Sequence, residues 1–239
     1  MKQTLITFLA LAGVASASTV ITFGGIDASY PFVTDAHAIH DTGSGYSATL
    51  SDGNKFTVTN TGGKFWSTSV NGSINGSWKN TDALNDLNTT LGVSYTAADF
   101  SAGSQMYAIA AGDSGSGSIL TFTFADEVIG NTITMYAMVT ARTGDLTGFT
   151  VSGINNQTVT YATNNGTGFS DTAAFSTGAR ALTMIKITGE ITDASLILTP
   201  AAGQKSGFQS VAYQIVPEPT TATLSLLALA GLAARRRRR

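Results

Sequence analysis

The chain has 239 residues, with 13 Lys+Arg, 15 Asp+Glu, no cysteine and only 12% charged residues. The lack of cysteine excludes thiol nucleophiles, cysteine-held zinc, iron–sulfur clusters and disulfide staples. Lys2, the five arginines of 235–239 and Glu218 sit at the two ends, so residues 18–216 keep seven basic and fourteen acidic residues, a net charge of −7 that makes a poor partner for nucleic acid or anionic lipid.

The first 17 residues read as a secretory signal peptide, expected as an N-terminal signal helix. Lys2 supplies the positive end and residues 5–15 form a short apolar run. Ala15-Ser16-Ala17 gives the small-x-small cleavage pattern, so Ser18 is expected to begin the mature protein. The run is too short for a lasting membrane span.

Residues 18–216 are expected to form a single body, long enough to bury one substantial core. Gly, Ser, Thr and Asn abound, which suits strand faces and tight turns better than helices. Asp52-Gly53-Asn54 separates 47–51 from 55–60 and predicts a hairpin. A helix is expected over 82–90, with Thr81 as N-cap and Ala83, Leu84 and Leu87 on one side. A shorter turn is expected at 96–100, where Thr96 and Asp99 resemble a capping pair.

Alternation of period two then dominates. Leu120, Phe122 and Phe124 share one face of 118–124, and Ile133, Met135, Ala137 and Val139 one face of 131–139. In 182–188, Ile185 and Ile187 oppose Met184 and Lys186; 194–199 and 209–216 behave alike. Such strands fit antiparallel sheets with one face on a core. Turn signals at Asn71-Gly72, Asn75-Gly76, 112–117, Gly144-Asp145 and 164–168 divide the runs into about ten to thirteen strands. The expected fold is all-β: a two-sheet antiparallel sandwich, jelly-roll or lectin-like rather than seven-stranded immunoglobulin-like.

Catalytic patterns are sparse. His37 and His40, flanked by Asp35 and Asp41, have a spacing that suits a metal on a helical turn, but the segment lies between Pro31 and Gly43 and reads as a surface loop with no further ligand in view. Gly112-Asp113-Ser114-Gly115-Ser116 misses the last glycine of a nucleophile elbow and reads as a turn. The body's two glutamates, Glu127 and Glu190, do not form an evident glycosidase pair. The body is therefore expected to be no enzyme and to hold no cofactor and no metal. Trp66 and Trp78, with Tyr46 and Tyr107, are candidates for stacking on a sugar ring, although Trp66 also fits a core position. Asn-x-Ser/Thr triplets at Asn71, Asn75, Asn88, Asn156 and Asn165 read as turn and cap residues.

Residues 217–239 combine three pieces in order. Pro217-Glu218-Pro219 cannot continue a strand or join a helix, because proline fixes φ and lacks an N–H. Residues 220–234 are uncharged and rich in Leu and Ala, hence an expected C-terminal transmembrane helix. At about 1.5 Å per residue that helix is roughly 22 Å long, against a hydrocarbon core of about 30 Å. It is short for an anchor and needs snorkelling arginines or a thinned bilayer. Arg235, Arg236, Arg237, Arg238 and Arg239 would remain cytoplasmic and leave the body outside.

The ordered combination in VPEPTTATLSLLALAGLAARRRRR resembles the PEP-CTERM sorting signal of Gram-negative and related bacteria. The resemblance covers about a tenth of the chain. It implies recognition by exosortase, a multi-spanning membrane protease with a catalytic cysteine, and cleavage at or near the tripeptide. It also implies delivery to the cell surface or extracellular matrix, often alongside exopolysaccharide export. In that likeness Pro217, Glu218 and Pro219 are the recognised tripeptide and the five arginines the retention cluster. The expected partners are exosortase, the secretion machinery, the membrane before processing, and extracellular polysaccharide. The body is then structural or adhesive, with a lectin-like module as alternative and a secreted glycoside hydrolase as a more distant one.

Overall fold

The computed structural model describes residues 21–24, 46–49, 53–60, 78–100, 118–124, 128–141, 148–176, 181–200 and 206–216. They form ten strands, one α-helix and a 3-10 turn over Ala97–Phe100. The strands are arranged in two antiparallel five-stranded sheets. The expected terminal helices, at 1–17 and 220–234, lie outside the described residues. Among the described residues, no helix is long and apolar enough to cross a membrane.

Sheet 1 has the order β1 (Ile21–Gly24), β10 (Ser206–Val216), β5 (Thr132–Ala141), β8 (Ala181–Ile191), β7 (Ile154–Thr163). Sheet 2 runs β2 (Tyr46–Thr49), β3 (Lys55–Asn60), β4 (Ser118–Thr123), β9 (Ser195–Pro200), β6 (Phe149–Ser152). The hairpin expected from Asp52-Gly53-Asn54 is present: Thr49 pairs with Lys55, and Gly53 takes φ 85°. Most other neighbours are distant in sequence. Ile21 pairs with Tyr213, and Thr123 with Ser195.

Alternation places Leu120, Phe122, Leu196 and Leu198 of sheet 2 in one cluster with Ile133, Met135, Ala137, Val139, Ile185, Ile187, Val211 and Tyr213 of sheet 1. The Phe122 and Tyr213 rings meet edge to face at 4.6 Å between centroids, a favourable quadrupole arrangement. Asn54 donates from Nδ2 to the Tyr213 hydroxyl at 3.0 Å, so the buried phenol oxygen is satisfied across the two sheets.

One residue carries the chain from sheet 2 to sheet 1. Gly153 separates the end of β6 from the start of β7, at φ 87°. A Cβ there would lie 1.9 Å from the Ser195 carbonyl oxygen. Only glycine satisfies both the left-handed backbone and that close approach. Its carbonyl accepts from the Thr192 N–H at 2.9 Å, fixing the corner to the turn between β8 and β9.

Sheet 1 is buried on both faces at its centre, which corrects the one-faced reading of 131–139 and 182–188. Helix α1 (Thr81–Leu91) lies on the outer face. Ala83, Leu84, Leu87 and Leu91 form its buried stripe. They pack with Trp78, Tyr136, Met138, Ala162, Leu182, Met184 and Ala212. The fully buried Leu87 alone removes enough apolar surface to contribute about 2–3 kcal/mol.

The N-cap of α1 is Asn80, not the expected Thr81: its Oδ1 accepts from the Ala83 N–H at 3.1 Å. Asn and Thr both cap, but the residue with tertiary partners takes the position. Gly92, at φ 67°, ends the helix in a left-handed turn. Asn88 then ties the chain back, with Oδ1 accepting from Tyr95 N at 2.9 Å and Nδ2 donating to Tyr95 O at 2.8 Å.

Candidate functional site

Several residues singled out in the sequence lie outside the described residues: Ala15, Ala17, His37, His40, Trp66, Asn71, Asn75, Tyr107, 112–116, Glu127, Pro217, Glu218, Pro219, Arg235, Arg236, Arg237, Arg238 and Arg239. Tyr46 is the first residue of β2 and pairs with Val58. Glu190 is exposed near the end of β8, opposite Thr132 and Asn155. Asn88 is the helix tie described above. Asn156 stands exposed at φ 50° in a β7 bulge, and Asn165 is exposed in the turn after β7. Among the described residues, no three His, Cys, Asp or Glu side chains converge as metal ligands.

Trp78 is a correction. It is 2% exposed and packs in the cluster beneath α1. Its indole N–H donates to the Asn80 carbonyl at 2.7 Å. A tryptophan immediately before a helix buries its large ring against the sheet that the helix covers, so its face is not offered to a sugar.

The polar side chains that the structure brings together around a cleft lie beside α1. An open cleft of about 470 Å³ runs between the helix and the outer face of sheet 1. Asp82 and Asp86 line it from α1, and Thr158, Thr160, Lys186 and Thr188 from β7 and β8. Gly168 and Phe169 line it from the connection after β7. Thr158 is directly opposite Thr188, and Thr160 opposite Lys186, on neighbouring antiparallel strands. The threonines share a face because strand side chains repeat every two residues.

Asn80 holds the walls of the cleft together. This side chain is 1% exposed and makes four hydrogen bonds. Oδ1 accepts from Ala83 N and from Gly168 N at 3.0 Å. Nδ2 donates to Thr163 O at 3.0 Å and Gly168 O at 3.1 Å. One buried amide thus fills its full bonding capacity while capping the helix and clamping the 163–168 turn against it. A second chain of bonds supports the same corner. Asn164 Oδ1 accepts from Lys79 N at 2.7 Å, and Ser176 Oγ accepts from Asn164 N at 2.8 Å. Ser176 Oγ donates onward to Leu182 O, and its N–H reaches Thr183 Oγ1 at 2.9 Å.

At the floor, Asp86 Oδ2 accepts from the Tyr136 hydroxyl and from Lys186 Nζ, each at 2.7 Å. The side chains of Lys186 and Asp86 are 23% and 38% exposed, so solvent screens much of the ion pair's energy. Lys186 Nζ also lies 5.4 Å from the Tyr136 ring centre and 5.8 Å from that of Phe169, within cation–π range. Burial pushes the Tyr136 phenol well above the ordinary tyrosine value. A Thr90 hydrogen bond opposes this in part, and the Asp86 carboxylate raises it further.

Chemically, the cleft offers threonine hydroxyls, carboxylates, an ammonium and one aromatic face. Its two carboxylates come from one wall, at i and i+4 of the same helix, rather than from opposite sides of a substrate. Sequence reading missed this group. One signal was present: Lys186 interrupts the apolar run from Met184 to Ile187, and lysine is rarely buried without a partner. Its partner lies 100 residues away, on the helix. No protein-family model, curated protein or solved structure matches the chain.

Proposed function

We propose that this chain is an exported surface or extracellular-matrix protein, carried through the secretion machinery by its first 17 residues and sorted by the PEP-CTERM-like segment at 217–239. In this reading an exosortase-type membrane protease recognises Pro217, Glu218 and Pro219. The apolar stretch and the five arginines hold the precursor in the membrane until cleavage. The body is structural or adhesive, and not an enzyme. The observation that carries the reading is a boundary. Strand β10, flanked on both sides by β1 and β5, ends at Val216, the residue before the tripeptide. Among the described residues, the ladders of β10 run to β1 and β5, so none of the described pairing draws on the tail.

We also read the two sheets as a sandwich of jelly-roll type. The shared core cluster supports the sandwich. The interleaved orders β1-β10-β5-β8 and β4-β9-β6, built from strands remote in sequence, support the jelly roll.

Mass spectrometry of the surface protein tests the sorting reading. The expected result is a mature N-terminus at Ser18 and no peptide beyond the 217–219 region. Glu218→Ala should accumulate membrane-held precursor. Intact 220–239 on the mature surface protein would sink the reading.

A second reading, a lectin-like module for extracellular polysaccharide, has one specific observation in its favour: the cleft beside α1, where threonine, carboxylate and ammonium side chains meet an aromatic wall.

A further inference from the structure

We propose that the cleft between α1 and sheet 1 is a subsite for a neutral pyranose ring, recognised by Asp82, Asp86, Thr158, Phe169, Lys186 and Thr188. The proposal rests on the carbohydrate-binding reading of the body and specifies its ligand class; it is independent of how the tail is processed.

Sugar hydroxyls both donate and accept, so a site for them needs both functions held in place. Lys186 donates, Asp82 and Asp86 accept, and the threonine hydroxyls do either. Thr158 and Thr188 stand side by side as a directly opposed cross-strand pair. Both contacts described for Asp86 fall on Oδ2, so Oδ1 is the oxygen assigned to the ligand. Lys186 keeps one fixed position because it bonds Asp86 and lies over two rings.

A pyranose also presents apolar C–H faces. Phe169, half-buried in the cleft wall with its ring centre 6.0 Å from that of Tyr136, supplies a fixed aromatic surface for one of them. The negative face of an aromatic ring attracts the weakly positive hydrogens of such a face.

Charge selects among sugars. The cleft sets two carboxylates against one ammonium, in a body of net charge −7. A uronate or sulfated sugar would meet net repulsion, whereas a neutral hexose meets none. Size fits as well: about 470 Å³ lies within the roughly 300–1,000 Å³ of small-ligand sites. The walls are preformed, since Asn80 clamps the Gly168 turn to the helix, and preorganisation lowers the entropic cost of binding.

The test is calorimetric titration of the full chain, held in mild detergent, with tetramers of glucose, of mannose and of galacturonate. Free glucose separates a polymer ligand from a monosaccharide. At least one neutral tetramer should bind saturably, and at least about tenfold more tightly than the galacturonate tetramer. Thr188→Val and Phe169→Ala should each weaken it about tenfold, near 1.4 kcal/mol. Ile129→Ser, at an exposed residue away from the cleft, should change nothing. A tetramer that outbinds glucose assigns the subsite to a polysaccharide chain, and equal binding assigns it to a free sugar; either upholds the pyranose. Saturable binding that survives both cleft variants would leave the body a carbohydrate binder and overturn this subsite. No binding of any neutral saccharide by the folded wild type would overturn both.

Discussion

The two faces of sheet 1 are both buried, and they are built differently. The inner face meets sheet 2 through apolar side chains placed by strict alternation, with Phe122 and Tyr213 at its centre. The outer face meets a helix. It combines an apolar middle under Leu84, Leu87 and Leu91 with a polar margin of Asn80, Asp86, Tyr136 and Lys186. The inner face is held mainly by burial, which has no direction, with the Asn54–Tyr213 hydrogen bond as a polar tie. The outer face needs correctly aimed hydrogen bonds, because polar groups buried there cost free energy unless paired. The first design makes a core; the second makes a core with a usable edge.

The largest effect should come from the corner that joins the two sheets. Gly153→Ala forces a methyl group onto the Ser195 carbonyl at a left-handed backbone position. A loss of about 4 kcal/mol or more is expected in urea unfolding, because backbone on both sides must move. A loss under about 1 kcal/mol would mean that the sheets do not meet there as described.

Next comes the clamp of the outer face. Asn80→Ala removes a cap and leaves buried partners unpaired, for an expected cost of about 2–4 kcal/mol. Hydrogen exchange should quicken in 81–91 while β5 stays protected, a local opening of the helical layer. If β5 loses protection equally, the two faces form one cooperative unit and the contrast fails.

The fold was legible in the sequence where period two governs the chain. Leu120/Phe122, Ile133/Met135 and Leu196/Leu198 all point inward as their alternation requires. The helix was legible too, to within a residue at each end, from Ala83, Leu84 and Leu87. Its place was not. Tyr136, Met138 and Met184 carry no local mark of a helix above them, since apolar residues on both faces of a strand fit a second sheet equally well. The cleft was the least legible part. Asp86 and Lys186 meet only through tertiary packing, and Trp78 misled because burial and stacking select the same residue type.

Alkaline pH should separate the faces more gently. The folded Tyr136 phenol holds its proton to higher pH than an unfolded tyrosine, whose value is about 10. Burial raises Tyr161 in the same direction. Above pH 10 the unfolded chain therefore binds fewer protons, and stability is fully present below that pH and lost as pH climbs beyond it. Unfolding midpoints measured upward from pH 9 should fall, and fall less steeply in Tyr136→Phe. A variant with the wild-type slope would place the effect elsewhere.

The smallest effect concerns the ion pair. Lys186→Met keeps the stem packed and removes the charge, so stability should shift by no more than about 1 kcal/mol in either direction. A loss above about 3 kcal/mol would show that Asp86 depends on its cation, and would shift the outer face from hydrogen bonding toward electrostatics.

The pairing of β1 with β10 has a consequence for timing. The first of the ten strands lies beside the last, and the last also flanks β5. Closing that contact joins residues nearly 200 apart, a loop whose entropy must be lost before β1 can join sheet 1 through β10. A chain emerging from the ribosome cannot satisfy the open edge of β5 until β10 has left the exit tunnel. Up to that moment sheet 1 lacks the two ladders that β10 makes, to β1 and to β5. The strand that completes sheet 1 is thus also the last of its strands to be made.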